Sequence, residues 1–392
     1  MAFTVQDTKS NDMGRRQNRY LRRKEQREKK KEKIKNINFE DVAGLDSLYK
    51  AAYASAKGVR WKASVQKYTL NLLFNINKTR KDLLKNKDIR KGFIEFDINE
   101  RGKVRHIKSV HFSERVVQKS LCTNALYPVL TNGLINDNGA SQKGKGTHFA
   151  TNRLIKSLHK HYKRYGNNGY VLLLDFKSYF DNIDHKKLKE IYRKYFNDEK
   201  IINLANDFID AFGDMGLGLG SETSQISAVA YANTIDHYIK EKAKIKCYGR
   251  YMDDSHIVSN SKEFLENLLE ELKVQFNEYG IKLNTKKTRI VKLKNGFTFL
   301  KTRFFLNDSG KVIRKPCRKS ITVERRKLKR QAKLCNKGII TEDTVHDSFM
   351  SWLGSMKHRT ARKSAYSMKC LYKTLFNKEE KDNGKNEQRS IN

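Results

Sequence analysis

Apolar residues recur at two spacings along the chain, and each spacing predicts a different kind of element. Through residues 45–90 they return every three or four positions, as in VQKYTLNLLFNINKTRKDLL at 65–84, which predicts helices. Residues 92–98 and 103–112 alternate instead, and predict two strands joined by a turn at 99–102. The run YVLLLDF at 170–176 is continuously apolar and ends in an aspartate, which is typical of a buried central strand.

The second half of the chain continues as a mixture of helices and strands. Helical patterns lie at 184–196, 200–212, 226–244 and 262–280, and the glycine-rich loop GLGLGSETSQ opens into the third of them. A strand pair is expected at 281–293 and 296–306, and the part from about Lys311 is basic and mainly helical. The predicted fold class is therefore α+β, with helical, positively charged ends.

Charge narrows the choice of partners. The chain has 82 Lys and Arg against 43 Asp and Glu, a formal net charge of +39, which favours a polyanion over a neutral small molecule. Residues 15–35 carry twelve basic and three acidic side chains and too little apolar surface for a core. This block is either disordered or a solvated helix, and serves either as a nucleic-acid arm or as a solubilising tail. The candidate RNA-binding residues in it are Arg15, Arg16, Arg22, Arg23, Lys29, Lys30 and Lys31.

The sequence also indicates a compartment. No apolar run approaches the length of a membrane span, and the polar start lacks the apolar core of a signal peptide. The five cysteines form no CxxC pair, so neither a zinc site nor a disulfide framework is expected. We therefore expect a cytoplasmic protein with no membrane partner.

Two adjacent carboxylates interrupt a strand-like stretch at YMDD. Asp253 and Asp254 are expected in a tight turn between strands at 248–252 and 255–258, and Asp175 ends the apolar run. Neighbouring antiparallel strands would bring these carboxylates together, where they would repel one another unless divalent cations lay among them. Mg²⁺ suits such oxygen ligands, and two ions can activate a 3′-hydroxyl and stabilise a departing pyrophosphate.

Other motifs give weaker evidence of function. GASQKGK at 139–145 has the spacing of a phosphate-binding loop, but Gly146 stands where Ser or Thr should bind Mg²⁺ and no convincing strand precedes it. An ATPase is therefore disfavoured. The pairs Asp184-His185 and Asp236-His237 lack a nucleophile or third ligand at useful spacing, so ordinary surface or helix-end residues are expected there.

The succession LLLDFKSYFDNIDH, GLGLGSETSQ, YMDD, LNTKKT and FTFLKTRF resembles the palm motifs of reverse transcriptases, in family order. Upstream, VRHIKSVHFSERVVQKSLCTNALYPVL and GASQKGKGTH resemble fingers motifs of bacterial and prophage members, and FMSWLGSMKHRTARKS resembles a thumb segment. The resemblance covers roughly residues 95–370. It is closest to the diversity-generating retroelement and defence-associated enzymes; the thumb lacks the Val-Thr-Gly of retron enzymes.

The resemblance implies a right-hand polymerase fold. Its expected parts are a basic N-terminal arm at 1–40, fingers at 41–165, a palm of antiparallel sheet and helices at 166–305, and a basic helical thumb and tail at 306–392. It also implies an RNA-directed DNA polymerase that uses two Mg²⁺ ions, with Mn²⁺ as a substitute, to add dNTPs to nascent DNA. The template would be a structured noncoding RNA, with an accessory protein or a homo-oligomer as further partners. The role is either antiviral defence or sequence diversification; a catalytically silent RNA-binding or maturase-like protein is the alternative.

Carried over by motif, the family's catalytic roles fall on residues of the palm. Asp175 and Asp253 would bind metal, with the backbone carbonyl of Phe176 in a metal shell and Asp254 as the supporting carboxylate. Lys287 matches the lysine that protonates the departing pyrophosphate, although Lys286 is adjacent and is a second candidate.

Further residues are expected at the nucleotide. Arg105, with Lys103 close by, and Lys145 would hold the triphosphate, although Gln142 stands where many relatives carry an arginine. Phe180 is expected under the sugar, where it would exclude a 2′-hydroxyl; the alternative is an ordinary core phenylalanine.

The glycine-rich loop departs from the common family pattern. Leu219 stands beside Gly220 where most relatives have a glutamine that packs on the incoming nucleotide, and Gln225 ends a GxxxSQ pattern found in error-prone members. Error-prone synthesis is one expectation. In the other, Leu219 packs under the fingers, Gln225 caps the helix, and fidelity is set elsewhere.

Overall fold

The N-terminal region is helical up to a single β-hairpin. The computed structural model describes residues 5–100 and 103–376. The first helices are α1 (Val5–Lys35), α2 (Phe39–Ala43), α3 (Leu45–Ala56), α4 (Ala63–Leu70) and α5 (Leu72–Leu84). Strands β1 (Phe93–Glu100) and β2 (Lys103–Val110) pair antiparallel, which confirms the predicted strand pair. Asn99 and Glu100 belong to β1 rather than to the turn, and positions 101–102 lie outside the described residues.

A second group of helices leads into the central sheet. They are α6 (Phe112–Leu121), α7 (Tyr127–Asn132) and α8 (Thr147–Tyr165), and a π-helical turn at Cys122–Leu126 joins the first two. The central part then contains β3 (Tyr170–Asp175), α9 (His185–Tyr195), α10 (Glu199–Asp210), α11 (Glu222–Tyr231), α12 (Asn233–His237), β4 (Tyr248–Tyr251), β5 (Asp254–Ser259), α13 (Lys262–Glu278) and β6 (Arg289–Lys292). The strands form an antiparallel sheet in the order β4-β5-β3-β6, so β3 is central as its apolar run predicts.

The predicted strand pair at 281–293 and 296–306 is wrong. Strand β6 joins β3 instead, and the second segment folds back on itself as β7 (Phe297–Phe299) and β8 (Thr302–Leu306), followed by β9 (Val312–Pro316) in the same sheet. Leu300 and Lys301 have φ of 45° and 60°, as a two-residue type I′ hairpin turn requires. Type I′ turns usually contain Asn, Asp or Gly at these positions, so Leu300 and Lys301 did not predict the hairpin.

The C-terminal described helices form a small core of their own. They are α14 (Arg318–Asn336), α15 (Glu342–Met356) and α16 (Arg362–Phe376). Leu328, Phe349 and Met368 are buried between them. None of the described helices is long and apolar enough to cross a membrane.

The two faces of the central sheet pack against different layers. Leu172, Leu174 and Ile257 belong to a large core that extends to α2 and α6, so the predicted fingers and palm share one core. Val171 and Leu173 face a second core with α8 and the β7-β8-β9 sheet. That sheet crosses the predicted palm–thumb boundary at 305, because β8 runs to Leu306. Because side chains alternate along a strand, Asp175 lies on the same face as Val171 and Leu173.

Candidate active site

The three aspartates meet at one end of the central sheet. Asp175 is the last residue of β3 and stands directly opposite Asp254, the first residue of β5. Opposite residues of an antiparallel pair project to the same face with Cβ atoms about 4.5–5.5 Å apart. Asp253 lies in the turn between β4 and β5, which is therefore only Met252-Asp253. The turn predicted at Asp253-Asp254 is therefore shifted by one residue, because Met252 belongs to the turn and Asp254 is already paired with Tyr251 in the ladder.

Burial and mutual repulsion raise the pKa values of the hairpin carboxylates. Asp175 is only 7% exposed. Burial, with the Asp175 charge in support, raises the pKa of Asp253 above its usual value. Burial and then the charges of Asp253 and Asp175 raise the pKa of Asp254 to about 7. Ionising the carboxylates of this cluster therefore costs free energy, and a neighbouring positive charge would reduce that cost.

Lys287 supplies part of that positive charge. Its Nζ lies 2.7 Å from Oδ2 of Asp175, and this hydrogen bond raises the pKa of Lys287. The side chain of Lys287 is 57% exposed, against 10% for Asp175, so the lysine reaches the carboxylate from solvent. Backbone hydrogen bonds hold the main chain of Lys287 close to β3. The Asn284 N–H donates to the Asp175 carbonyl, and the Lys287 N–H donates to the Asn284 carbonyl. Of the two adjacent lysines that the sequence left open, Lys287 is the one bonded to the carboxylate.

A cleft opens beside these groups. It has a volume of about 230 Å³, and its walls include Asp175, Asp254, Lys287, Arg289 and Phe299. Carboxylates therefore line one part of the cleft and cationic side chains another, an arrangement that suits a phosphorylated ligand with a bound cation.

A buried ion pair supports the aspartate hairpin from behind. The Arg250 guanidinium donates to Asp236 from Nε (2.8 Å) and Nη2 (2.7 Å), and both side chains are almost completely buried. Its Nη1 donates to the carbonyl of Met252 in the turn itself (3.1 Å), and the Tyr248 hydroxyl donates to Asp236 (2.5 Å). Burial alone would lower the pKa of Arg250, but the charge of Asp236 outweighs it and raises that pKa.

Sequence reasoning missed this pair, and the expectation that Asp236 is an ordinary surface or helix-end residue is wrong. Asp236 is 0% exposed because it is the counter-charge of Arg250. The available signal was Arg250 itself, a charge inside a short strand that must be buried beside β5 and therefore needs a partner. Asp184, in contrast, is an ordinary helix N-cap, accepting from the Lys186 and Lys187 N–H groups.

The chemistry of the cluster fits a hard divalent cation. Within 5–100 and 103–376, no three His, Cys, Asp or Glu side chains are already arranged around a metal position, and Asp175 is bonded to Lys287. The donors are nevertheless oxygen atoms of Asp175, Asp253 and Asp254, the ligand type that Mg²⁺ prefers. The Phe176 N–H donates to the Asp253 carbonyl (3.2 Å), which holds the Phe176 backbone beside the turn. The raised pKa of Asp254 shows that this site would gain from added positive charge.

The predicted nucleotide-binding residues Lys103, Arg105 and Phe180 belong to β2 and to the segment after β3. Arg105 is exposed, and its charge lowers the pKa of Asp253 against the larger effect of burial. The side chain of Lys103 lies outside the described residues. Phe180 is half-buried, its ring perpendicular to the fully packed Tyr179, and its carbonyl accepts from the Leu217 N–H (2.8 Å). The glycine-rich loop is thus fastened to Phe180.

Lys145 is hydrogen-bonded to backbone carbonyls of its own loop. Its ammonium donates to the carbonyls of Asn136 and Asn138 (3.1 Å each) and lies over the Phe149 ring. Burial lowers the pKa of Lys145. The loop also folds on itself through Gln142, whose amide donates to the Asn138 carbonyl (2.9 Å). No strand stands directly before this loop in the described chain, which follows α7, so the geometry of a phosphate-binding loop is missing.

The remaining loop residues divide between packed and exposed positions. Leu219 is half-buried, and Gly220 has φ of 101°, a conformation that favours glycine. Gln225 is exposed within α11, where Ser221 occupies the N-cap position, so the expectation that Gln225 caps the helix is wrong.

The basic arm is helical where it is described. Helix α1 runs to Lys35, which selects the solvated helix over disorder for residues 15–35. Arg22 and the lysines at 29–31 are exposed. The side chains of Arg15, Arg16 and Arg23 lie outside the described residues.

Two solved telomerases show a distant likeness. Apo telomerase from Candida tropicalis, truncated from the C-terminal domain, is 16% identical with a TM-score of 0.46, over 57% of this chain and 54% of that one. Telomerase from Candida albicans, in complex with a TWJ fragment of telomeric RNA, is 12% identical with a TM-score of 0.47, over 74% of this chain and 60% of that one. The chain thus spans little more than half the length of these structures. No curated protein matches it.

A family model gives the assignment. The model described as reverse transcriptase (RNA-dependent DNA polymerase) matches residues 84–304, which hold the hairpin of β1 and β2, the central sheet and all three aspartates. The matched region is more than half of the 392 residues. With its antiparallel sheet, surrounding helices and clustered carboxylates in a right-hand polymerase fold, the chain belongs to the reverse transcriptase family.

Proposed function

We propose that this protein is an RNA-directed DNA polymerase that adds dNTPs to a growing DNA strand on an RNA template. The observation that carries the proposal is the register of β3 and β5, which sets Asp175 opposite Asp254 with Asp253 at the adjoining turn. Membership of the reverse transcriptase family supports the same reaction. A catalytically silent RNA-binding protein would have no use for three carboxylates held together against their mutual repulsion.

Asp175, Asp253 and Asp254, with the Phe176 carbonyl, would hold two Mg²⁺ ions, with Mn²⁺ as a substitute. When bound, such ions activate the attacking 3′-hydroxyl and stabilise the leaving pyrophosphate. The protein's own contribution is to keep the carboxylates at fixed positions through the β-ladder and to keep the cleft beside them open. Asp254 supports the two metal-binding aspartates by adding charge at the edge of the cluster.

Lys287 holds a proton at the position where the leaving group departs. The bond to Asp175 raises its pKa, so the ammonium form is fully populated at neutral pH. Lys287, once released from Asp175 on nucleotide binding, would donate its ammonium proton to the departing pyrophosphate. The high exposure of the Lys287 side chain leaves it free to make that movement.

Three further residues would define the nucleotide. Arg105 and Lys103 on β2 would bind the triphosphate, since a guanidinium grips phosphate oxygens in a bidentate way. Phe180 would lie under the sugar and select deoxynucleotides. Leu219 and Gly220 would line the pocket, and the apolar Leu219 would make copying error-prone. Lys145 could join only by giving up its bonds to two backbone carbonyls.

The template is proposed to be a structured noncoding RNA, bound in part by the exposed basic residues of α1 and by the basic helices after Lys311. An excess of 39 positive charges supports a polyanionic partner. The cellular role is proposed to be antiviral defence or retroelement diversification, with an accessory protein or a homo-oligomer as further partners. A cytoplasmic location is proposed with it. The genomic neighbourhood separates the two roles, because diversification requires a repeat pair and a variable target gene.

Primer extension tests the reaction directly. The full chain, given a DNA primer on an RNA template with dNTPs and Mg²⁺, should lengthen the primer, and Asp253→Asn should reduce the rate to near zero. Asp347→Asn is the matched control, because the side chain of Asp347 is 88% exposed and far along the sequence in α15. Full activity of Asp253→Asn would remove the site assignment, and no extension by the wild-type chain on any template would remove the function.

A further inference from the structure

Large apolar side chains stand exposed on helices α3–α5 and on the turn between α3 and α4, all before the β1-β2 hairpin. Trp61 is 74% exposed, Leu70 83%, Leu73 72% and Phe74 71%, and Tyr53 is 48% exposed on α3. Scattered exposed apolar residues are common, but a dense group within 22 positions of one chain segment marks an interaction surface. We call these five residues and the basic side chains among them the 53–74 surface.

The local fold holds this surface in place. Helices α4 and α5 bury Tyr68 and Ile76 against the main core, and Val65 of α4 is also buried, so Leu70, Leu73 and Phe74 occupy their other sides. The two helices are separated at Asn71, and the Asn75 amide donates to the Tyr68 carbonyl across the break (2.9 Å). Leu70, Leu73 and Phe74 are therefore presented by anchored helices, and Trp61 by the short turn before α4, in which the Lys62 N–H donates to the Val59 carbonyl (3.1 Å).

A small cavity lies within the surface. It has a volume of about 170 Å³ and is lined by Tyr53, Arg60, Thr69 and Leu72, with two alanines of α3. The Tyr53 ring contacts that of Tyr49, with centroids 4.8 Å apart. An aromatic ring, a guanidinium and small alanine side chains around one opening suit a flat, aromatic guest, because nucleobases stack on both rings and guanidinium groups.

The charges of the surface indicate what kind of guest it takes. Residues 53–74 contain four basic side chains, Lys57, Arg60, Lys62 and Lys67, and no Asp or Glu. None of the four has an ion-pair partner among the described side chains. A second copy of the chain would bring the same positive charge to the contact, whereas a nucleic-acid backbone would neutralise it.

We infer that the 53–74 surface binds an unpaired stretch of RNA, with bases stacked on Tyr53, Trp61 and Phe74 and phosphates on the four basic side chains. The inference rests on the proposed function, since the RNA would be part of the template molecule. It extends that function by adding an RNA-binding site on α3–α5, separate in sequence from the aspartate cluster. The same RNA could thus be held at a second point while its copied segment occupies the active site.

Binding of a fluorescein-labelled oligouridylate to the full chain, followed by anisotropy, tests the inference. Trp61→Ala and Phe74→Ala should each weaken binding by about five- to a hundredfold, the usual loss for one stacked base. Arg60→Ala should weaken binding and lower the slope of log K against log salt by roughly 0.7, the value for one phosphate contact to a single strand. Phe264→Ala is the matched control, because Phe264 is 46% exposed on α13, where five Glu outnumber two Lys.

Several outcomes would overturn the inference. Unchanged affinity in the Trp61 and Arg60 variants, or an equal loss in Phe264→Ala, would show that the 53–74 surface does not select RNA. A wild-type dimer that Leu73→Asp converts to a monomer with unchanged RNA affinity would make the surface an interface between copies. Failure of the proposed function would instead appear as a wild-type chain that binds oligouridylate but never extends a primer.

Discussion

Two ion pairs flank the candidate active site, and they are built in opposite ways. Arg250 and Asp236 are 0% and 1% exposed at their side chains, and Lys287 and Asp175 are 57% and 10% exposed. Arg250 makes several hydrogen bonds, to Asp236, to the Met252 carbonyl and to the Val229 carbonyl. Within the described residues, the side chain of Lys287 makes one hydrogen bond, the 2.7 Å bond from its ammonium to Asp175.

The difference separates holding a site from acting in it. A pair that is buried on all sides and bonded in several directions cannot rearrange during turnover, so Arg250 and Asp236 can only fix the turn that carries Asp253. A pair with one exposed member can open and close at little cost. The buried pair therefore sets the geometry of the site, whereas the pair with an exposed member can transfer a proton. The effect of a substitution should become smaller as the burial of the pair decreases.

The largest effect is expected from the buried pair. Arg250→Met should lower the free energy of unfolding by about 3–5 kcal/mol, because Asp236 keeps a buried charge without its counter-charge. The double variant Arg250→Met with Asp236→Asn removes both charges while leaving an acceptor for the Tyr248 hydroxyl, and should recover most of that stability. Its primer extension should stay about a hundredfold slow, since the Met252 carbonyl has lost its donor and the turn can shift. Urea unfolding and single-turnover extension measure the two quantities.

The double variant also provides the decisive control. If it recovers both stability and the wild-type extension rate, the pair is merely structural and the comparison between the two pairs fails. If it recovers neither, the buried charges are needed for folding, and Tyr248→Phe then gives a milder disturbance of the same network.

The exposed pair should show the reverse pattern. Lys287→Met should lower the free energy of unfolding by less than Arg250→Met does, because the Lys287 side chain is 57% exposed and Asp175 lines a cleft that solvent can reach. Its maximal extension rate should fall by about 10²–10⁴, the usual contribution of a general acid. Lys286→Met is the natural comparison because the two lysines are adjacent and line the same cleft. A larger loss of rate in Lys286→Met would reverse the assignment, and a large loss of stability in Lys287→Met would remove the distinction drawn above.

The sequence predicts the parts of this site that depend on local pattern. The apolar run before Asp175 and the alternating residues around Asp253 and Asp254 are enough to predict a central strand beside a hairpin. The β3–β5 register then follows from the pairing itself. The partner of Arg250 could not be predicted, because Asp236 lies on a helix 14 residues earlier and no periodic pattern connects the two.

Partner choice between strands was equally hidden from the sequence. The segment 281–293 is predicted as a strand from its residues, but its pattern does not say whether its partner is β3 or the following segment. The direction of Lys145 depends on carbonyls of Asn136 and Asn138, which the sequence marks in no way. Lys287 could be narrowed only to one of two neighbours, because the difference between them is a matter of side-chain reach.

The smallest effect should come from a fully exposed charge contact on the β1-β2 hairpin. His106 bonds Asp97 through Nδ1 and Glu95 through Nε2, both at 2.9 Å, and only the protonated ring can donate at both nitrogens. These two hydrogen bonds raise the pKa of His106 above its usual value.

A raised pKa in the folded state means that the added stability is fully present below the unfolded pKa, about 6.5, and disappears as the pH rises through the folded value. Amide exchange in β1 and β2, corrected for the intrinsic pH dependence, should therefore show more protection at pH 6 than at pH 9, while α13, which contains no histidine or cysteine, shows no such change. His106→Gln should remove the difference, because a neutral amide offers no titrating donor.

The expected change is small, since solvent screens an exposed pair and the hairpin keeps its ladder of backbone bonds. Equal protection at both pH values, in a chain where the Arg250 and Lys287 variants behave as expected, would show that exposed contacts contribute nothing measurable to the segment that carries Arg105.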